Sequence, residues 1–305
     1  MPLGWYLAQG LYPLNPSDSD DEEGPCELPD GRLVCGPHGL VVCGKCCTDY
    51  SFMDDNLSSD VEENEYDSPK NHPMSVTISH DPPGEEKRRG TGRVFPTKFI
   101  PPTNSISPTE LFRGQATYAK LTRYIHRDDP QAVLIFTDGA CLNNGQPNPK
   151  AGWAFVHGPG LMGNPEIASG RLENKGPFGD DSIQSSNRAE LRAVIAALRF
   201  RHWPGEGFNT MTIATDSEYV VEGSTKWAKT WAKNQWKTSG KADVKNKDLW
   251  EMLLGEFERW NDLGLSIRFW RIPRAWNTIA DAAAKEAASV EEVPSGWIDM
   301  MGICI

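Results

Sequence analysis

The chain has 305 residues, of which 38% are hydrophobic and 24% are charged, and its formal net charge is −11. This length accommodates about two domains, and the composition excludes a collagen, a coiled coil and a small disulfide-bonded scaffold. No apolar run approaches the ~20 residues of a membrane helix, and the seven cysteines occur without a basic, apolar leader, so we expect an intracellular protein of the nucleus or cytoplasm with no membrane partner.

Charge is distributed unevenly along the chain. Residues 1–92 hold 18 acidic against 6 basic side chains, whereas residues 225–247 hold seven lysines and one aspartate. A local basic stripe is the electrostatic pattern that a phosphate backbone attracts. The acidic total therefore does not exclude a nucleic acid as the partner.

The N-terminal region alternates acidic stretches with a segment dense in cysteine and histidine. Residues 1–25 and 54–106 are acidic, or rich in proline and glycine, and we predict that they are disordered because they cannot bury enough apolar surface. Residues 26–53 carry four side chains at the paired spacing of a structural zinc site: Cys35, His38, Cys43 and Cys46. Free thiols in a small hydrophobic knot are the alternative. The acidic surroundings favour a protein partner for this region.

Residues 107–130 are predicted to form a helical lead-in, because Ser107 to Glu110 match a capping box with proline at the first helical position. A compact domain over residues 131–290 and a C-terminal tail over 291–305 follow. The predicted strands are 131–136, 151–157, 166–172, 211–214 and 265–272. The predicted helices are 188–203 with Asn187 as its cap, one from Ser217, 247–262 and 277–290. The order βββαβαβα predicts an α/β fold with a mixed five-stranded sheet flanked by helices.

Four carboxylates fall at strand ends or near the starts of helices: Asp138, Glu190, Asp216 and Asp281. Taken singly, an aspartate before glycine is a common turn residue, and an acid in a first helical turn complements the helix dipole. Strand ends and helix starts can converge at one end of a sheet, however, where clustered carboxylates repel one another unless cations neutralise them. Such hard oxygen ligands favour Mg²⁺ or Mn²⁺ over zinc. Two such ions about 4 Å apart promote phosphodiester hydrolysis.

The segments TDGAC, NRAEL and ATDSEYV, and a final AD near a helix start, resemble the type 1 ribonuclease H family, in family order and over about residues 131–290. The resemblance implies a ribonuclease H-like fold, here preceded by a largely disordered region. It implies an endonuclease that hydrolyses the RNA strand of RNA–DNA hybrids with two Mg²⁺ ions, for which Mn²⁺ can substitute, and leaves 5′-phosphate and 3′-hydroxyl ends. It also implies that the four carboxylates are the metal-binding catalytic acids. We expect a monomer.

Further residues match substrate-contacting positions of the family. Those beside the minor groove of the hybrid are Cys141, Asn143, Asn144, Ser186 and Asn187. Ser185 and Asn246 match the phosphate-pocket positions. The residues expected along the DNA strand are Tyr219, Trp227, Lys233 and Trp236. Tyr219 precedes a lysine- and tryptophan-rich protrusion and the other three belong to it; an amphipathic helix with buried tryptophans is the alternative for this protrusion.

The segment before the last acid departs from the family pattern. The family usually carries a histidine there, whereas this chain has FWRIPRAWNTIAD, in which Arg274 is the natural substitute. Arginine attracts phosphate but does not act as a base near neutral pH. A hybrid-binding scaffold with little or no catalysis, and a nuclease of the wider fold that acts on DNA, are therefore the alternatives to an active ribonuclease.

Overall fold

The computed structural model describes residues 12–13, 25–28, 32–35, 38–43, 48–51, 86–117, 121–160, 164–238 and 241–300. The disorder predicted for residues 1–25 and 54–85 concerns positions that, apart from residues 12–13 and 25, lie outside this set. Within the described part of the chain, no helix combines the length and apolar character needed to cross a membrane.

The strands and helices of the described residues follow the predicted order, with additions at the N-terminal side. The strands are β1 (Tyr12–Pro13), β2 (Pro25–Glu27), β3 (Leu33–Cys35), β4 (Val42–Cys43), β5 (Thr48–Asp49), β6 (Thr97–Lys98), β7 (Phe112–Ala116), β8 (Thr122–His126), β9 (Asp129–Leu142), β10 (Lys150–Gly158), β11 (Glu166–Arg171), β12 (Thr210–Thr215) and β13 (Ser266–Arg271). The α-helices are α1 (Pro108–Leu111), α2 (Ser186–Arg199), α3 (Glu218–Glu222), α4 (Ala228–Lys233), α5 (Lys247–Asp262) and α6 (Thr278–Ser289). Short helical turns of other types cover Trp203–Glu206, Gly223–Trp227 and Arg274–Trp276.

The five predicted strands, β9 to β13, form the centre of a mixed sheet with the order β11-β10-β9-β12-β13-β6. β12 pairs parallel with β9 and with β13, while β10 pairs antiparallel with β9 and β11. The long strand β9 also pairs with β8 near its start, on the edge that β10 occupies further along. A mixed sheet flanked by helices is therefore confirmed, and three short strands extend it.

The two faces of β9 support two separate cores, because alternate side chains of a strand point to opposite faces. Val133 and Ile135 pack with α2 and α5 in the larger core. Leu134 and Phe136 pack with Ala280 of α6 and with residues that precede β9. The strand is buried from residue 132 to residue 141, which explains its continuous apolar run.

The helical lead-in predicted for residues 107–130 is wrong beyond its first turn. The capping box at Ser107 is present, but α1 ends at Leu111 and the chain continues into the hairpin of β7 and β8. Tyr124 and Ile125 of β8 are buried because they pair with β9. An available strand edge in the tertiary structure thus outweighs the local helical pattern.

Two segments predicted to be a linker and a tail pack on the domain instead. Gly90 approaches α5 so closely that a Cβ would lie 2.3 Å from Gly255 N, and Glu258 Oε1 accepts hydrogen bonds from the N–H groups of Thr91 (2.7 Å) and Gly92 (2.8 Å). Buried backbone groups require such partners. At the other end, residues 291–300 also pack on the domain, where the carbonyl oxygen of Ile298 accepts a hydrogen bond from Arg192 Nη2 at 2.7 Å.

Candidate active site

The first acid of the site lies inside the central strand and not at a strand end. Asp138 pairs in register with Ala154 of β10 and is buried. The next residue, Gly139, faces α2 with no room for a side chain, since a Cβ would lie 2.1 Å from Glu190 N. The glycine therefore lets the first turn of α2 approach β9, which brings Glu190 close enough to Asp138 for the charge of one carboxyl to act on the other.

Asn277 connects the central strand to the acid that follows β12. Its Nδ2 donates to Asp216 Oδ1 at 2.7 Å and to the carbonyl oxygen of Thr137 at 3.0 Å. Asn277 stands at the N-cap position of α6 but makes no side-chain cap bond. Asp281 follows one turn into α6, so helix starts and the end of β12 converge on Asp138, which the sequence placed at a strand end and the structure places within β9.

Burial and mutual repulsion raise the pKa of three of these carboxyls. For Asp138 the largest cause of the raised pKa is burial, followed by the charges of Asp216 and Asp281. Burial and then the charge of Asp138 raise the pKa of Glu190. Burial also raises the pKa of Asp216, although the charge of Arg274 opposes the shift. A bound cation would oppose these upward shifts of the pKa, because it stabilises the charged carboxylates.

Two buried polar atoms among the acids and their partners have no hydrogen-bond partner among the described residues: Glu190 Oε2 and Asn277 Oδ1. Buried polar groups are normally bonded, so unsatisfied oxygens at one place point to an ion or water. Carboxylate and amide oxygens are the ligands of hard divalent cations. The residues present therefore fit Mg²⁺ or Mn²⁺.

Two basic side chains contact the fourth acid. Arg274 Nη2 lies 2.6 Å from Asp281 Oδ1, and Lys285 Nζ lies 2.7 Å from Asp281 Oδ2. Although burial opposes it, the charges of Asp216 and Asp281 raise the pKa of Arg274, which remains protonated. The sequence singled out Arg274, whereas Lys285 was missed. Its spacing of four residues from Asp281 on one helix is the signal that could have found it.

The loop after β9 and the start of α2 are joined through residues expected at the minor groove. Asn144 Nδ2 donates to Ser186 Oγ at 2.9 Å, and the Ser186 N–H donates to Asn144 Oδ1 at 3.4 Å. Asn143 is exposed and has the left-handed φ of 55°. Asn187 is buried in the first turn of α2. Cys141 lies in the core, so its thiol is not brought to the surface with the others.

One surface pocket contains the residues expected to hold a phosphate. Ser185, Tyr219 and Asn246 line it. Tyr219 accepts hydrogen bonds at its hydroxyl oxygen from Trp250 Nε1 (2.9 Å) and Asn246 Nδ2 (3.3 Å). Ser185 is also the N-cap of α2, since its Oγ accepts from the backbone N–H of residue 188 at 3.4 Å. The prediction that Asn187 caps this helix is wrong, because the helix begins one residue before Asn187.

Residues 225–247, the basic protrusion, combine a buried and an exposed set of side chains. Trp231 is buried against Trp250, whereas Trp227 and Trp236 are only partly buried. The protrusion also presents exposed lysines, which include Lys229, Lys233 and Lys241. The alternative of buried tryptophans is correct for Trp231 and Trp250, while contact of Trp227 and Trp236 with a DNA strand stays a prediction.

The RNase H family model matches residues 130–289, just over half of the chain. The chain belongs to the RNase H family. Its enzyme class is ribonuclease H, a nuclease that binds RNA–DNA hybrids. The match extends from the start of β9 to the end of α6 and includes all four acids.

Curated relatives named Ribonuclease H match about two fifths of the chain. The protein of Treponema pallidum subsp. pallidum is 41% identical over 40% of this chain and 70% of its own length. That of Alcanivorax borkumensis is 39% identical over 42% and 72%, and that of Polaromonas naphthalenivorans is 41% identical over 41% and 66%. Among solved structures, LC9-RNase H1, a type 1 RNase H with the type 2 active-site motif, is 26% identical, with a TM-score of 0.38 over 55% of this chain and 77% of that one.

The Cys/His cluster lies outside the RNase H match. His38 Nδ1 lies 3.4 Å from Cys35 Sγ and 3.5 Å from Cys43 Sγ, and the three ligand atoms lie within 4.8 Å of one another. Neither cysteine is in a disulfide. The expected fourth ligand, Cys46, falls outside the described residues. Three of the four predicted ligands are thus brought together.

Proposed function

We propose that the chain is an endonuclease that hydrolyses the RNA strand of RNA–DNA hybrids with two bound metal ions, leaving 5′-phosphate and 3′-hydroxyl ends. The observation that carries the proposal is the cluster of four carboxylates, in which Glu190 keeps a buried oxygen without a partner among the described residues. A cluster built only for stability would have paired that oxygen. Membership of the RNase H family supports hybrid cleavage as the reaction.

Asp138, Glu190, Asp216 and Asp281 would hold the divalent ions, Mg²⁺ or Mn²⁺. When bound, such ions lower the pKa of water and neutralise the charge that develops on the phosphate. The carboxylates have the hard oxygen atoms this requires, and Gly139 and the amide of Asn277 hold Glu190 and Asp216 in place.

Arg274 positions the site and attracts the substrate. Its guanidinium is held by Asp281 beside Asp216 and Asp138, so it can draw a phosphate toward the acids. It cannot accept a proton there, because an arginine so close to carboxylates stays charged. Protons in the reaction would therefore pass to water or to a carboxylate.

The substrate would lie across the start of α2 and the basic protrusion. Asn143 and Asn187 would contact the minor groove, where an amide can both donate to and accept from a 2′-hydroxyl, and the buried pair of Asn144 and Ser186 would hold this surface in place. Ser185 and Asn246 would bond phosphate oxygens. Residues along the DNA strand would be Tyr219, Trp227, Lys233 and Trp236, while Cys141 would contribute only through packing.

The test uses an end-labelled RNA annealed to DNA, incubated with the purified full chain and Mg²⁺. We expect cleavage of the RNA in the hybrid but not of RNA–RNA or DNA–DNA duplexes, and we expect Asp138→Asn to abolish it. Asp128→Asn, which changes an exposed aspartate paired with Arg127, is the matched control and should remain active. Products that accept enzymatic ligation would carry the proposed ends.

Two results would overturn the proposal. Full cleavage by Asp138→Asn would remove the metal-site assignment. Tight hybrid binding without cleavage by the unchanged chain would make it a scaffold, and the arginine in place of the family's histidine would then be the first residue to replace.

We also propose a structural zinc ion at Cys35, His38 and Cys43, with Cys46 as the fourth ligand, separate from the catalytic acids. The sulfur-to-nitrogen distances of 3.4 and 3.5 Å agree with the edge of about 3.6 Å that Zn–S and Zn–N bonds of ~2.3 and ~2.05 Å subtend in a tetrahedron. A protein partner of the acidic N-terminal region stays a prediction.

A further inference from the structure

The segment that carries the Cys/His cluster rests on the catalytic domain, on the face that the proposed function assigns to the substrate. We call residues 33–51 the cover; residues 33–35, 38–43 and 48–51 of it are described. Val42 touches the loop of Asn143 and Asn144, because a Cβ on Gly145 would lie 3.0 Å from Val42 Cγ1. The cover therefore contacts the loop expected at the minor groove.

A second contact lies at the phosphate pocket. Ser51, the last described residue of the cover, lines that pocket together with Ser185 and Asn246. Its Oγ lies 3.2 Å from Lys245 Nζ. The cover thus bonds a lysine beside the pocket, where a phosphate of the hybrid would bind.

Between these contacts, the cover packs along the start of the catalytic helix. β5 lies against α2, and Tyr50 packs on the larger core. Burial is the main reason why the pKa of Tyr50 is raised, and the charges of Glu218, Arg271 and Arg274 also act on its hydroxyl.

The cover has few other means of holding its shape. Its own core consists of Val34 with Leu28 and Val41 packed against it, and a tight turn in which the Gly39 N–H donates to the carbonyl oxygen of Cys35 at 2.6 Å. So small a core needs a metal or disulfide to be stable, and neither Cys35 nor Cys43 is in a disulfide.

We infer that a zinc-type ion at Cys35, His38 and Cys43 fixes the cover across the substrate face, so that the cover and the RNA–DNA hybrid compete for one surface. This inference rests on the proposed function. The N-terminal region would then compete with the substrate, and the metal would regulate access of the hybrid to the active site.

The charge of the following residues reinforces the competition. Residues 54–67 carry seven acidic and no basic side chains, and they begin three positions after Ser51. Carboxylates carry the same negative charge as a phosphate backbone, so this run, which follows the cover in the sequence, adds a chemical competitor for the lysines of the basic protrusion.

The metal is measured first, on the purified full chain, by elemental analysis. We expect one equivalent of zinc, lost in Cys35→Ser and in Cys43→Ser and kept in Cys304→Ser, which removes a thiol elsewhere in the sequence. Absence of a stoichiometric metal from the unchanged chain, or full metal content in both cluster variants, overturns the inference.

The second measurement is the affinity for a fluorescent hybrid, in Mg²⁺ and in the Asp138→Asn background to prevent cleavage. A cover docked nine-tenths of the time weakens the apparent affinity about tenfold. Val42→Asp, Tyr50→Ala and Cys43→Ser should therefore each bind about tenfold more tightly than the parent, and Cys304→Ser should equal it. A zinc-selective chelator should tighten the parent by the same factor.

The reverse coupling is the third readout, since linkage is reciprocal. Saturating hybrid should speed transfer of zinc from the parent to a chromogenic chelator, and a single-stranded DNA of unrelated sequence should do so less. If all three cover variants bind the hybrid with the affinity of the parent, the competition between the cover and the hybrid is overturned and the proposed function stands. If no variant binds the hybrid, the proposed function is overturned as well.

Discussion

At the scale of single residues, the site is a balance of charges that are not all compensated by the protein. Asp281 contacts Arg274 and Lys285, whereas Glu190 retains a buried oxygen without a partner among the described residues. Some acids are thus neutralised by basic side chains of the protein, while others are left for a metal ion. Substitutions of the acids should therefore affect metal binding, and substitutions of the basic residues should affect the substrate.

Neutralising the most buried acid should stabilise the metal-free protein. Folding raises the pKa of Asp138 above its ordinary value near 4. At pH values between the ordinary and the raised pKa, the folded state binds more protons than the unfolded state. The stability of the folded state therefore falls as the pH rises through this range. In EDTA we therefore expect Asp138→Asn to melt at a higher temperature than the unchanged chain at pH 7, with the difference closing below pH 4. Thermal melts across pH measure this. Mg²⁺ should raise the Tm of the unchanged chain more than that of the variant, and equal shifts would contradict the metal site.

Arg274 should affect turnover more than binding. Its guanidinium lies among the acids, where its loss removes a charge that would stabilise the reacting phosphate, and we expect Arg274→Ala to lower kcat about 10²-fold with a small change in KM. Arg274→Lys, which keeps the charge, should recover part of the loss. Steady-state kinetics test this, with Arg127→Ala as an exposed control. Equal changes in kcat and KM would make the residue a simple phosphate anchor.

At the scale of elements, contacts between backbones position the site. α2 can approach β9 because Gly139 has no side chain, and the segment before β6 approaches α5 through Gly90 in the same way. Such contacts tolerate no added atoms, because the interior is close-packed.

A single methyl group should separate α2 from β9. Gly139→Ala would place a Cβ 2.1 Å from Glu190 N, so the helix must move, and we expect a loss of about 1–3 kcal/mol of stability together with nearly all cleavage. Gly296→Ala is the matched control, because a Cβ there meets nothing within 4 Å. Chemical denaturation and the hybrid assay measure the two effects; an active, stable Gly139→Ala would show that the helix does not define the site.

The packing of residues 86–93 on α5 should depend on the carboxylate of Glu258. Glu258 Oε1 accepts hydrogen bonds from the N–H and the hydroxyl of Thr91 and from the N–H groups of Gly92 and Arg93. Glu258→Gln keeps an acceptor but loses the charge, so we expect a loss of about 1–2 kcal/mol in denaturant unfolding. The exposed Glu286→Gln should leave the stability unchanged, and an equally small effect in both would deny the role of Glu258.

At the scale of the whole molecule, local pattern predicted most of the domain, and long-range pairing supplied the rest. α5 was predicted at 247–262 because its apolar residues recur at helical spacing, and the acids were located by their strand ends and helix starts. The hairpin of β7 and β8 was not predicted. Its strand β8 contains Arg123, which is completely buried, whereas a sequence pattern places an arginine on the surface. Arg123 is buried because it pairs with Glu166 (2.8 Å) and Glu206 (2.9 Å), and the local pattern of the sequence does not reveal partners so far along the chain.

Packing on the domain continues beyond the family match, where Trp297 and Met300 contact the larger core. Arg192 is held between the rings of Trp153 and Trp297, 4.6 and 4.1 Å from the ring centres, and it forms a buried ion pair with Glu173. Truncation after residue 290 removes Trp297 and the carbonyl of residue 298, so we expect a loss of about 3 kcal/mol or more. A chain that ends at residue 300 is the control. Equal Tm values for the two truncations would contradict a stabilising role of residues 291–300.

The central strand has one consequence for how the enzyme loses activity on heating. Between residues 133 and 136, β9 is hydrogen-bonded on both edges and buried on both faces, so the amide protons of this stretch should exchange with solvent only when the whole domain opens. The carboxylate of Asp138 follows this stretch by two residues, so we expect it to keep its place until the stretch opens. Thermal inactivation should therefore coincide with the cooperative melting of the domain, and irreversible loss of activity should follow the global unfolding rate.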